Sequence, residues 1–215
     1  KSTLSALLNE VLHVQNIVFL KHDSYLDTED IKRAILNYGA VGAGIYYYSE
    51  CFDSDTNSYC CYAATPGNHA VTIVGWDDNY SASNFKLGGP EGDGAWIVRN
   101  SWGSSWGDNG YFYVSYYDRS FAMSSVQNPA YAVIFNDTIK FDKNYQYDIA
   151  GITDYLFGPS SEIWYKNKFT ATSDEFLAAV STYFKVVSNW TAKVYVNDQL
   201  KDVISGTSSP GYYTF

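Results

Sequence analysis

His69-Ala70-Val71-Thr72-Ile73-Val74-Gly75-Trp76-Asp77, followed by Trp96-Ile97-Val98-Arg99-Asn100-Ser101-Trp102-Gly103-Ser104-Ser105-Trp106-Gly107-Asp108-Asn109-Gly110-Tyr111, is the part of the chain from which its fold can be read. Both stretches are β-branched and aromatic where they are apolar, and both are flanked by Gly, Asn and Asp, the composition of strands bounded by turns. His69 stands at the foot of the first strand and Asn100 at the end of the second. Strand ends of this kind project side chains into clefts. Outward from this centre, Tyr111-Phe112-Tyr113-Val114-Ser115-Tyr116-Tyr117 reads as a third strand, and Ala40-Val41-Gly42-Ala43-Gly44-Ile45-Tyr46-Tyr47-Tyr48 as an earlier one. The glycines of that earlier strand point to another chain segment passing close to its backbone. Before it, Asp27-Thr28-Glu29-Asp30 supplies a cap and an acidic first turn for a helix. Ile31, Ala34, Ile35 and Tyr38 form its apolar face and Gly39 ends it. Residues 1–24 carry little periodic signal apart from Ile17-Val18-Phe19-Leu20, a short buried segment, and Asp78 to Gly94 reads as a loop.

The chain has 215 residues, enough for one large domain or two small ones, with 46% apolar and 17% charged residues. That is the balance of a globular protein, and no run approaches the roughly eighteen apolar residues of a membrane span. Aromatic residues reach 18% and sit in short alternating runs, which favours β-structure. A net charge of −9 argues against a nucleic-acid partner, since phosphate binding requires clustered Lys and Arg. Cys51, Cys60 and Cys61 are odd in number, so at least one thiol is free or pairs elsewhere. A bridge from Cys51 to either Cys60 or Cys61 would close only a short loop, and the sequence does not choose between them. The chain opens at Lys1 with no signal-peptide core, and both ends read as cuts through a longer protein.

A histidine near a strand is usually structural. To act as a general base it must reach a nucleophile, and a third group must fix its tautomer. An amide oxygen does this without adding charge. Asn100 can be that group, although Asn is also a common turn residue. The tryptophans that follow, Trp102 and Trp106, suit a shielding role, in which an indole keeps water from a buried hydrogen bond.

These residues resemble the papain-like cysteine peptidases over roughly residues 27–117. The helix with Gly39-Ala40-Val41, the Asn68-His69-Ala70-Val71 block, Gly75-Trp76 and the Asn100-Ser101-Trp102-Gly103 block fall in family order. The resemblance implies that His69 is the proton-sharing histidine and Asn100 its orienting amide, and that Trp102 covers their bond and lines the leaving-group side of the cleft. Trp106 belongs to the same shielding block. Gly44 and Ala70 match positions lining the main specificity pocket, and Asn68 matches the residue before the histidine. The family's nucleophile segment, Gln-x-x-x-Cys-Gly-x-Cys-Trp, occurs nowhere in the chain. Cys51, Cys60 and Cys61 fall between helix and histidine, where the family keeps no nucleophile.

After Asp118 the texture changes. Residues 118–130 are polar with one proline and read as a linker. From Tyr131 short strand-like runs recur. Lys193 to Leu200 reads as a hairpin with Asn197-Asp198 at its tip. Ser173 to Phe184 is open to two readings, a helix capped by Asp174 or a strand, and the alternation of Phe176, Ala178, Val180, Thr182 and Phe184 favours the strand. This part resembles, through Tyr145-Gln146-Tyr147-Asp148 and the Trp164 to Tyr195 stretch, the lectin-like β-sandwich that follows the catalytic domain in some prokaryotic surface peptidases. Its aromatics are read first as sandwich core and second as sugar-stacking surfaces.

Three other motifs fail on their context. Gly103-Ser104-Ser105-Trp106-Gly107 fits the hydrolase nucleophile elbow, but it leads into a strand and no histidine follows His69. Asp53-Ser54-Asp55-Thr56-Asn57 begins like a calcium loop, yet Ser58 and Ala64 replace the needed Gly and Glu. His13, His22 and His69 have no zinc spacing with the cysteines. Asn79, Asn136 and Asn189 begin glycosylation triplets that matter only in a glycosylating source.

The expected fold is therefore α+β: a papain-like right-hand β-barrel half-domain with a flanking helix (1–126), a linker or first strand (127–140), and a truncated lectin-like all-β sandwich (141–215). The expected function is that of the C-terminal half of a papain-like cysteine endopeptidase, silent alone because its nucleophile lies upstream. Its expected partners are a peptide or protein substrate, the upstream half of the peptidase, and glycans through the second domain; no metal, cofactor or nucleic acid is called for. Secretion or surface location follows from the resemblance. The alternative is a non-catalytic carbohydrate- or peptide-binding module on a papain scaffold.

Overall fold

A computed structural model describes residues 14–86, 88–135, 141–147 and 161–215. His13, the Asn136 triplet and Asp148 lie outside the described residues. The described elements are β1 (Val14–Leu20), α1 (Glu29–Tyr38), β2 (Val41–Ile45), β3 (Phe52–Asp53), β4 (Ser58–Tyr59), β5 (His69–Asp77), β6 (Ala95–Arg99), β7 (Tyr111–Ser115), β8 (Ala130–Phe135), β9 (Ser181–Phe184), β10 (Ser188–Val196), β11 (Gln199–Ser208) and β12 (Gly211–Thr214). One helix against a large sheet gives the α+β class expected of the sequence.

Ten strands form one sheet in the order β3-β4-β7-β6-β5-β2-β8-β1-β12-β9, and β10 and β11 form a separate hairpin. Alternation along the central strands decides the core. Val41, Ala43 and Ile45 of β2, Val71 and Ile73 of β5, and Val98 of β6 are buried on one face together with Ile31 and Ala34 of α1. Full burial of a Val or Ile side chain contributes about 1.5–3 kcal/mol, so this face is a main source of stability. Of the helix's expected apolar face only Ile31 and Ala34 are fully buried, and Tyr38 is half exposed. Gly39 ends the helix at φ 87°, and its N–H donates to the Ile35 carbonyl.

The glycines of β2 do admit close neighbours. A Cβ at Gly42 would run into the Tyr131 ring, and one at Gly44 would lie 2.9 Å from the Asn128 Cα.

The 118–130 segment is not a linker. Phe121, Ala122 and Met123 are buried, and so are Asp118, Ser120 and Asn128. The Asp118 carboxylate accepts hydrogen bonds from the Cys61, Ser120 and Phe121 amides and from the Ser120 hydroxyl, at 2.7–3.0 Å. Asn128 donates to the carbonyls of Ser120 (2.7 Å) and Thr65 (3.2 Å), and its Oδ1 accepts from the Gly67 amide. The segment's polarity serves internal hydrogen bonding and not exposure, a distinction that composition does not carry.

Beyond it, β8 pairs with both β2 and β1, and β1 pairs with β12 through Ile17↔Tyr212. Strands near the two ends of the chain are thus hydrogen-bonded into the sheet that carries His69. The expected strand across 173–184 is confined to Ser181–Phe184. Phe176 is fully exposed, so its place in the alternation reflects no burial. The β10–β11 hairpin turns at Asn197 and Asp198, both at positive φ (49° and 60°), the conformation that a two-residue Asn-Asp turn requires. Trp190 packs on Phe215 with ring centroids 4.1 Å apart, whereas Trp164 and Tyr165 are exposed. The aromatics of this region divide between packing and surface instead of all entering a core.

Candidate active site

The antiparallel pairing of β5 with β6 sets His69 and Asn100 side by side, since the ladder runs from Asp77↔Ala95 to Thr72↔Arg99. His69 Nε2 lies 2.9 Å from Asn100 Oδ1. The same oxygen accepts from the Ser101 amide at 2.8 Å, which fixes the amide's orientation. Nε2 must therefore carry the proton and donate. Nδ1 is left as the ring nitrogen through which a proton can be exchanged. Asn100 is 4% exposed, and its backbone N–H donates to the Gly110 carbonyl at 2.9 Å, so the residue is held through both backbone and side chain.

Trp102 stacks on the imidazole, with centroids 4.9 Å apart and planes 21° from parallel. Trp102 in turn meets Trp106 (4.9 Å) and Tyr47 (4.8 Å) edge-on. Trp106 rests on Phe52 and Phe112, and Tyr47 stacks on Tyr59 at 5.4 Å. Offset and edge-on pairs of this kind contribute about 0.5–1.5 kcal/mol each beyond area burial. The wall behind the imidazole is thus a continuous aromatic cluster, of which Trp102 remains 42% exposed.

The other residues expected at the site take different places. Ala70 lines an open cleft of about 180 Å³ together with Thr72, Arg99, Asn100, Ser101 and Tyr131. Gly44 is the register partner of Ala70 but lies under Asn128 and does not line that cleft. Asn68 clamps the main chain of Tyr47, its Oδ1 accepting from the Tyr47 amide at 2.7 Å and its Nδ2 donating to the Tyr47 carbonyl at 3.0 Å. Tyr47 itself escaped the sequence reading. Nothing in Tyr46-Tyr47-Tyr48 marks which ring turns toward His69 (6.3 Å, edge-on); the nearest signal was Asn68 beside the histidine.

The three thiols are poorly suited to attack. All are buried, and burial pushes Cys51 up to about 12 and Cys60 to about 11, far from the thiolate form that reacts. Among the described residues no group of His, Cys, Asp and Glu is arranged to hold a metal, and no helix is long and apolar enough to cross a membrane.

Known proteins resemble this chain in sequence and in fold. Residues 8–134 match the papain family cysteine protease profile. Among curated proteins, the chain is 29% identical over 118 residues to the cysteine protease Amb a 11.0101 of Ambrosia artemisiifolia, covering 52% of this chain and 26% of that protein. It is 48% identical over 44 residues to fruit bromelain of Ananas comosus, covering 20% and 10%. Among solved structures, it is similar over its whole length to the cysteine protease and lectin-like domains of Cwp84, a surface layer associated protein of Clostridium difficile. That likeness has a TM-score of 0.71 and 27% identity, and covers 48% of that chain. The chain thus spans about half of that structure and a smaller share of the two curated relatives.

Proposed function

Because this chain belongs to the papain family of cysteine proteases, we propose that it supplies the histidine and asparagine of a Cys–His–Asn peptidase site, the attacking thiol coming from a segment that precedes Lys1 in the full protein. The observation that carries this reading is the 2.9 Å bond from His69 Nε2 to Asn100 Oδ1 beneath the Trp102 indole. With Nε2 engaged, Nδ1 faces the reaction. It takes the thiol proton, and the thiolate attacks the peptide carbonyl carbon. Nδ1 then returns the proton to the departing amine as the C–N bond breaks. A water attacks the acyl-enzyme, gives its proton to Nδ1, and releases the carboxylic acid and the thiol. Asn100 holds the ring in one tautomer throughout without adding charge, and Trp102 keeps water from the Nε2–Oδ1 bond.

Under this reading the chain alone is silent, its substrates are peptides or proteins, and Ala70 contributes to a specificity pocket. A secreted or surface location is supported by the likeness to a surface layer associated protein. Glycan contact by residues 141–215 is a separable part of the proposal, supported by the exposed Trp164 and Tyr165.

The test is turnover of a fluorogenic peptide by this chain alone, by the chain mixed with the upstream segment of its gene, and by the full protein. Activity confined to the last two, abolished by His69→Ala and by thiol alkylation, supports the proposal. Silence from a full protein shown to be folded and mature refutes it and favours the binding module.

A further inference from the structure

We propose that Cys51 and Cys61 form a disulfide cross-link and that Cys60 stays a free, buried thiol. This inference does not depend on the peptidase reading, and it settles a choice that the sequence leaves open.

The first support is the hairpin of β3 and β4. Its register, Phe52↔Tyr59 and Asp53↔Ser58, continues one rung further through the Cys60 amide, which donates to the Cys51 carbonyl at 3.4 Å. The backbones at 51 and 60–61 are therefore neighbours. In a regular ladder, facing residues such as Cys51 and Cys60 would send their side chains to the same side. Cys51 instead closes a single 3-10 turn, Ser49–Cys51, which breaks the alternation. Its side chain enters the main core together with that of Cys61. Cys60 points into a separate cluster with Phe85 and Ala95. Burial first, and then the neighbouring Cys61 thiol, push the Cys51 thiol up, as expected of two thiols that share one part of the core.

Cys61 is also held in place. Its amide donates to the Asp118 carboxylate at 2.7 Å, and its carbonyl accepts from the Arg119 amide at 3.1 Å. Bond formation needs little more than the loss of two protons and two electrons. With oxidised glutathione as acceptor, one thiolate attacks the glutathione disulfide and expels one glutathione thiolate. The second cysteine then attacks the mixed disulfide and expels the other, leaving the protein disulfide and two reduced glutathiones. Burial of both cysteines, at 6% and 5% exposure, makes this exchange slow in the folded chain. The bond forms while the hairpin closes, as a structural link and not as a rapid switch. It ties the base of a loop that carries Phe52, stacked on Trp106, and Tyr59, stacked on Tyr47. Those two rings support the wall behind His69.

The experiment is differential alkylation of the chain refolded in a buffer of reduced and oxidised glutathione. Free thiols are labelled under denaturing, non-reducing conditions. The protein is then reduced, labelled with a second reagent, and each label is assigned by fragment mass spectrometry. The expected result is the first label on Cys60 and the second on Cys51 and Cys61. Reduction should lower the Tm by about 5–10 °C, the size that a short closed loop gives in a chain of this length. Cys60→Ala should keep this response, and the paired Cys51→Ser, Cys61→Ser substitution should lose it. First label on all three cysteines, second label on Cys60, or a Cys60→Ala chain whose Tm ignores reductant would each overturn the proposal.

Discussion

Replacing Asp118 by alanine should be among the most damaging single changes available outside the hydrophobic core. The carboxylate is 1% exposed and receives four hydrogen bonds, three of them from backbone amides of Cys61, Ser120 and Phe121. Alanine leaves those three buried N–H groups without an acceptor. At about 1–3 kcal/mol for each orphaned donor, the lower end alone gives about 3 kcal/mol, and a loss of about 3–5 kcal/mol is expected near pH 4, where the substitution relieves no buried charge. Asp118→Asn is the informative control. It keeps Oδ1 for Ser120 and Phe121, presents an NH2 to the Cys61 amide, and removes the buried charge.

Burial raises the Asp118 carboxyl from 3.8 to about 6, against the pull of its four donors. A raised folded-state value means that the native chain holds this proton over a range where the unfolded chain has released it. The contribution to stability is therefore present below about pH 4 and lost as pH rises through 6. Two pK units correspond to about 3 kcal/mol. The Asn variant should thus gain on the natural chain by about that amount between pH 4 and pH 7. Denaturant unfolding followed by tryptophan fluorescence at several pH values gives both quantities. An alanine variant within about 1 kcal/mol of the natural chain near pH 4, or an Asn variant as unstable as the alanine one, would refute the account of Asp118 as the acceptor that holds this segment.

His22 should act in the opposite sense. Burial lowers its pKa below 6.5, and its Nδ1 lies 3.1 Å from the Ala122 carbonyl. Stability tied to the neutral ring is then full above pH 6.5 and lost as pH falls below it, a slope that His22→Met should flatten in the same titration of unfolding. Tyr47→Ala should remove the edge contact to Trp102 and the stack on Tyr59 and cost about 1–3 kcal/mol. It should also red-shift Trp102 emission, whereas Tyr47→Phe should change neither. Gly42→Ala forces the Tyr131 ring aside and should cost about 1–3 kcal/mol in thermal unfolding, with altered access to the cleft that Tyr131 lines.

Much of the candidate site is legible in the sequence because it is local. Asn100 to Gly110 contains both the amide and the turn that presents it, and His69 sits at the start of the strand paired with β6. The helix, its Gly39 stop and the Asn197-Asp198 turn are likewise written in neighbouring residues, where backbone φ and short-range hydrogen bonding decide the outcome. By themselves these residues determine an α+β chain with a histidine and an asparagine at facing strand ends. They do not determine what covers or supports that pair. Tyr47, whose ring faces His69, is held by Asn68, which bonds both its amide and its carbonyl. The polar run after Asp118 reads as a linker until its side chains are seen to satisfy buried backbone groups. The pairing of β1 with β12 joins residues nearly two hundred positions apart, as in the contact of Gln15 with Thr214. Composition says that a residue can form a strand or a hydrogen bond. Only the closed tertiary structure says with which partner, because partner choice depends on what the rest of the chain has already removed from water.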